Sequence, residues 1–225
     1  VQHLLFLAHR IPYPPNKGDK LRSYHLLRYL SERYRIHLGA FVDDEDDWRH
    51  VEELRKLCVA TYFARLHPAQ ARLRCLTGFL SGQALSVPYY HDSQLQAWVD
   101  RELAAKTIKH ILVFSSVMAQ YVRRQRGMRR IADLVDVDSD KWIQYAHSKS
   151  WPWSALYRRE GKRLLRYERQ IAREFDATTF VSQAEADMFS GLAPEAAHKI
   201  THFNMGVDCD YFSPAREYPN PYPIA

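Results

Sequence analysis

Residues 3–42 read HLLFLAHRIPYPPNKGDKLRSYHLLRYLSERYRIHLGAFV, and the order of patterns in this stretch decides the fold. The run from His3 to Ala8 is almost wholly apolar and stops at His9 and Arg10 before a proline-rich turn, as expected of a strand buried on both faces of a parallel sheet. Over 20–34, Leu26, Leu27, Leu30 and Tyr34 recur at three- and four-residue spacings with arginines between them, which predicts a helix packed on that strand. Residues 36–42 then read as a second strand. Strand, helix and strand in this order form a crossover unit, so the expected class is α/β with a parallel sheet covered by helices on both faces.

Working outward, the alternation continues. A helix is expected over 45–57, a strand over 59–64, and an irregular helical excursion over 66–90, where Gly78, Gly82 and Pro88 interrupt a basic and apolar pattern. A helix over 92–105, a strand over 110–114, a short helix over 116–123 and a strand over 131–137 follow. A long helix over 155–174 precedes a strand over 177–181. Ser182 and Glu185 then have capping-box spacing, in which the serine oxygen accepts from an amide of the first turn and the glutamate reaches back. A last strand is expected over 199–204. The domain is drawn as 1–212, and 213–225, with Pro214, Pro219, Pro221 and Pro223, reads as a linker or ragged end.

The whole chain has 225 residues, 46% hydrophobic and 13% aromatic, which excludes a disordered chain and favours one compact domain. Three widely spaced cysteines without a C-x-x-C pair point to neither a disulfide framework nor a zinc site. With no long apolar run and no charged leader in view, a cytoplasmic location is expected. The formal net charge of +6 favours anionic partners, and it is segregated: 43–53 is acidic, 123–130 and 158–173 are basic.

In an open parallel sheet, ligands bind beyond the carboxyl ends of the strands, so the loops after strands hold the candidates. Asn16-Lys17-Gly18-Asp19-Lys20-Leu21-Arg22 is one. Gly18 would let the backbone approach a ligand, with Asp19 beside it as a further binding candidate, and Lys20 and Arg22 would meet phosphate or carboxylate; alternatively Gly18 is a turn glycine among solvated cations. Asp133 to Trp142 (DLVDVDSDKW) is the second. Alternation along a strand would put Asp136 and Asp138 on one side, where they must share a proton, a cation or sugar hydroxyls. A carboxylate there also stabilises positive charge developing at an anomeric carbon. The competing reading is a helix cap with solvated neighbours. Ser115 and Ser116 face the same crevice, one of them expected as an N-cap. Among the eleven histidines no ligand spacing occurs, so no metal is expected, and only His9 sits at a strand end. Neither G-x-G-x-x-G nor G-x-x-x-x-G-K-[ST] nor G-x-S-x-G is present, which argues against a nicotinamide site, a P-loop and a serine hydrolase.

The helix over 155–174 carries Arg158, Arg159, Lys162, Arg163, Arg166, Arg169 and Arg173 against an apolar stripe. It is either a packed helix with a solvated basic face or, with Arg72, Arg74 and Phe79 of the excursion, a surface resting on anionic lipid.

Together IPYPPNKGDKLR (11–22), TTFVSQAE (178–185) and FNMGVDCDYFSP (203–214) resemble the N-terminal half of a GT-B glycosyltransferase of the large retaining family four. The stretch LVDVDSDKW is similar to the subgroup associated with exopolysaccharide and exosortase loci. Met205 departs from the pattern by separating Asn204 from Gly206. The resemblance implies a Rossmann-like domain that binds the acceptor, while a second domain, whose glutamate-x7-glutamate motif does not occur here, binds most of the nucleotide sugar. It implies transfer of a hexose with retention to a lipid-linked glycan or exopolysaccharide precursor, a negligible activity for this half alone, and no cofactor. It places Gly18 near the donor phosphates, with Lys20 and Arg22 orienting acceptor or phosphate. Asp138 takes the strand-end position of a sugar-contacting residue, with Asp136 and Ser139 beside it and Asn204 and Gly206 at the interdomain linker. Partners would be the nucleotide sugar, the acceptor and an anionic membrane on its inner face. The alternative is a non-catalytic basic module for membrane or nucleic acid; aromatic interleaving and a reading helix are both lacking, so no nucleic acid is expected.

Overall fold

A computed structural model describes residues 1–206. Its described strands form one seven-stranded sheet in the order β3-β2-β1-β4-β5-β6-β7, every pairing parallel. The strands are β1 (Gln2–Ala8), β2 (Tyr34–Val42), β3 (Ala60–Arg65), β4 (Ile108–Phe114), β5 (Arg129–Val135), β6 (Ala177–Phe180) and β7 (Ile200–His202). Helices α1 (Gly18–Ser31), α2 (Val51–Arg55), α3 (Pro68–Ser81), α4 (Ser86–Tyr89), α5 (Ser93–Ala104), α6 (Asp138–His147), α7 (Trp153–Glu174) and α8 (Gln183–Leu192) connect them. The fold is α/β with a Rossmann-like arrangement, as the alternation of patterns predicts.

Period-two geometry explains why β1 reads as an unbroken apolar run. Leu4, Phe6 and Ala8 pack with Ile36, Leu38, Leu27 of α1 and Leu54 of α2, whereas Leu5 and Leu7 face the opposite layer with Leu95 and Trp98 of α5 and Ile171 of α7. Both faces are dry, so neither set of alternate positions can be polar.

Four elements end or break differently from the sequence reading. The first helix stops at Ser31, and Tyr34, expected as its last apolar position, opens β2 opposite Gln2. The acidic segment 45–57 divides into a 3-10 turn over Glu45–His50, where the Asp44 carboxylate accepts from the Asp46 amide, and the short α2. Asp47 in that turn is buried in an ion pair with Lys20 of α1. The strand expected over 131–137 ends at Val135, whose φ is +69°. At the predicted capping box, the Ser182 oxygen accepts from the Glu185 amide, but the Glu185 carboxylate accepts from the Val137 amide instead of reaching back. The expected linker 213–225 and the motif from Val207 onward lie outside the described residues. Asn204 and Gly206 are exposed beyond β7, in no regular element.

Candidate ligand cleft at the switch point

β1 and β4 are neighbours although β2 and β3 come between them in sequence, so the connections leaving their carboxyl ends run in opposite directions and leave a crevice. A cleft of about 340 Å³ lies there, lined by His9 and Asp19 after β1, Ser115 and Ser116 after β4, Asp136 and Asp138 after β5, and by Tyr90, Lys141 and Trp142.

Two strained residues shape it. Ser115 has φ +77° and Val135 has φ +69°, the latter a β-branched residue in a region that favours glycine. Such conformations cost on the order of 1–3 kcal/mol each and persist only where surrounding bonds hold them. Here the Ser115 amide donates to the Asp133 carbonyl at 2.8 Å, and the Val135 amide to the Asp133 carboxylate at 3.2 Å. The turn at Val135 terminates β5, so strand alternation does not pair the aspartates. Asp136 lies in the turn and Asp138 is the first residue of α6. Lys141, one turn into α6, joins them instead: its ammonium donates to Asp136 Oδ2 at 2.6 Å and to Asp138 Oδ1 at 3.3 Å. Burial pushes the Asp138 carboxyl above its ordinary range and Asp136 adds to this, while Lys141 and His9 oppose it.

Across the cleft, Asp19 accepts from Arg10 Nη1 at 2.7 Å and lies 3.4 Å from His9 Nε2. Burial disfavours the Asp19 charge, but the His9 ring and the Arg10 guanidinium hold its carboxyl well below the usual range. The His9 ring stacks on Phe114 and meets Tyr90 edge-on, and its Nδ1 is buried without a partner among the described residues. Burial also pushes Tyr90 up to about 12, which keeps its phenol neutral. The Ser116 hydroxyl is buried with no partner among the described residues, so the cleft presents unsatisfied donors and acceptors beside paired carboxylates and two aromatic walls. That arrangement suits a polyhydroxylated ligand.

Several expected site residues serve other ends. Lys20 is buried in an ion pair with Asp47 and Arg22 in one with Asp133 (3.0 Å), because α1 lies over the sheet and turns both side chains inward. Neither faces the cleft. Gly18 is exposed at the start of α1, where a Cβ meets nothing within 4 Å, so nothing among the described residues requires a close approach there. Ser115 holds the cap position of the turn over Ser116–Tyr121, yet neither serine caps it, since capping needs an extended residue and Ser115 is left-handed. Ser139 is buried behind the cleft, its amide donating to Glu168 of α7 at 3.3 Å. The fully buried Glu168 carboxyl is pushed up to about 8, by burial first and then by Asp138. Arg74 is tied to the carbonyls of Pro88 and Tyr89 and is not a free surface cation.

His9, Tyr90, Lys141 and Trp142 join the cleft beyond the residues the sequence singled out as ligands. Lys141 was legible as the cation three and five residues beyond the aspartates; Tyr90 comes from the irregular excursion and has no local signal.

On another surface, α3 leaves Leu73, Leu76, Phe79 and Leu80 exposed, Leu80 at 91%. α7 packs beside it: the Arg159 guanidinium donates to the Gly78 carbonyl at 2.9 Å and lies over the Phe79 ring, and the Glu160 carboxylate accepts from the Leu85 and Ser86 amides. Arg158, Lys162 and Arg166 line the outer face of α7. No helix of the described residues is long and apolar enough to cross a membrane.

Fold and cleft define a Rossmann-like α/β domain with its crevice at the reversal of strand order. Among solved structures, the chain is similar to the N-terminal domain of trehalose-6-phosphate phosphatase from Candida albicans, with a TM-score of 0.52 and 12% identity over 94% of this chain. The chain spans 50% of the length of that structure. At this identity the likeness is one of fold. No family model and no curated protein matches the sequence.

Proposed function

We propose that the chain is the acceptor-side domain of a retaining glycosyltransferase, moving a hexose from a nucleotide sugar to a lipid-linked glycan or exopolysaccharide precursor, with the donor-binding wall outside it. One observation carries the reading: at the switch point, Asp136, Asp138, Lys141, His9 and the unpartnered Ser116 hydroxyl converge from three strand ends. Asp136 and Asp138, bridged by Lys141, accept hydrogen bonds from sugar hydroxyls. Carboxylate density at the cleft also stabilises the positive charge that develops at an anomeric carbon. Trp142 and Tyr90 supply apolar faces for a sugar ring. The domain alone binds and orients; it does not turn over, because half of the transition-state contacts lie on the absent wall.

In this reading the acceptor is delivered from an anionic membrane on the inner face, in a cytoplasmic enzyme held peripherally. The exposed α3 stripe would enter the interface, with Arg72 beside it and Arg158, Lys162 and Arg166 over the headgroups, each nearby cation contributing about 1 kcal/mol.

The test is turnover of nucleotide sugars by the parent protein with lipid-linked acceptors. Asp138→Ala and Ser116→Ala are expected to lower kcat/KM, the former by roughly 10²-fold or more. Unchanged turnover in both would remove the site assignment.

A further inference from the structure

A second depression, of about 900 Å³, lies on the far side of α4 and the Ser116–Tyr121 turn from the cleft. Its walls come from the end of α3, from α5, from the segment 122–128 and from α7. Arg124, Arg126, Arg163 and Arg166 all line it, and none makes an ion pair among the described residues. Two carboxylates share the groove and both are engaged. Glu174 accepts from Arg123 through both oxygens, at 3.0 and 2.8 Å, and from the Gln170 amide at 2.8 Å. Asp100 accepts from the Gln96 amide at 3.0 Å. Tyr167 also lines the groove, and its hydroxyl is buried beneath it with no hydrogen-bond partner among the described residues.

We propose that this groove binds a multiply charged phosphate anion, a diphosphate group in particular. Guanidinium stays charged at any physiological pH, so four of them lining one concavity, none paired with a carboxylate among the described residues, make a strongly electropositive site that favours an anion. A single carboxylate would answer one; a diphosphate carries enough charge and enough acceptor oxygens to meet several forks at once. Gly82, at φ +70°, ends α3 at the rim, and a Cβ there would touch Arg163 Nη1 at 3.4 Å. The glycine thus leaves the Arg163 head room at the mouth of the groove. The site is separate from the cleft at the switch point and does not depend on glycosyl transfer. The diphosphate belongs either to a soluble molecule or to a lipid whose chain lies along the neighbouring α3 stripe; the chemistry recognised is the same.

Calorimetric titration of the full chain with inorganic pyrophosphate at low salt tests this. Saturable binding is expected, tighter than for acetate and weakening as salt rises. Arg126→Gln/Arg163→Gln should weaken it by roughly tenfold or more, while Arg28→Gln/Arg35→Gln, which removes the same charge from elsewhere on the surface, should not. Circular dichroism of each variant verifies folding. A second arm uses vesicles carrying a polyprenyl diphosphate, with neutral vesicles as control. Capture by the former that free pyrophosphate competes away assigns the lipid source; pyrophosphate binding without vesicle preference assigns the soluble one. Absence of saturable binding, or equal loss in both arginine pairs, overturns the proposal.

Discussion

Arg22 separates a ligand-binding role from a structural one. Its guanidinium donates to the Asp133 carboxylate at 3.0 Å, donates to the Phe203 carbonyl at 3.0 Å and lies over the Phe203 ring, so one side chain ties α1 to β5 and to the segment after β7. Asp133 is wholly buried, and the Arg22 side chain is 2% exposed. Arg22→Met therefore strands a carboxylate in the core. Breaking a buried pair by removing one partner costs about 3–5 kcal/mol, a large part of the roughly 5–15 kcal/mol that holds a domain folded. With a urea dependence of about 3 kcal/mol/M, the unfolding midpoint falls by ~1 M or more. The pH dependence fixes the cause. Burial already raises the Asp133 carboxyl above its unfolded value, against the pull of Arg22. A raised carboxyl favours the folded state at low pH and loses that contribution as pH climbs through its folded value. Without Arg22 the rise is larger, so the penalty is greatest at neutral pH and shrinks as acid supplies the proton. Arg22→Met/Asp133→Leu, which removes both charges, recovers most of the loss. Urea titrations at pH 7 and in acid measure all of this. A single variant within ~1 kcal/mol of the parent at neutral pH, or a penalty indifferent to pH, refutes the structural role.

Other consequences are as direct. At Gly161 a Cβ would meet Ile143 and the Ser139 carbonyl, both at 2.8 Å, so Gly161→Ala should push α7 from α6 and cost about 1–3 kcal/mol, read from thermal unfolding. Glu168, pushed up to about 8, contributes stability that is full below its unfolded value and lost as pH rises through about 8. Stability should therefore fall from mild acid toward pH 9, and Glu168→Gln should flatten that slope in a pH series of denaturation curves. Flotation with anionic and neutral vesicles at low salt tests the α3 surface: Leu76→Ser/Leu80→Ser should release the protein, and a parent that binds neither vesicle sinks the membrane reading.

Local pattern carried most of the architecture. The unbroken run 3–8, the spacing of Leu26, Leu27 and Leu30, and the same alternation farther along require a parallel sheet dry on both faces, because only burial on both sides makes every position of a strand apolar. That alternation put Ser115 directly after a strand, but the end of β5 at Val135, which places Asp138 at the start of α6, did not follow from it. Nor did side-chain destinations. Lys20 and Arg22 look identical in sequence to ligand-binding cations, and only the docking of α1 on the sheet directs them to Asp47 and Asp133, the latter 111 residues away. The positive-φ turns at Ser115 and Val135 defy local preference; the first is held by the Asp133 carbonyl of the neighbouring strand and the second by the Asp133 carboxylate, which Arg22 fixes from across the chain. Tyr90 reaches His9 through an excursion whose path no spacing encodes. Periodicity reports which face of an element is buried; which groups meet there depends on contacts between segments far apart in the chain, and these exist only once the sheet has assembled.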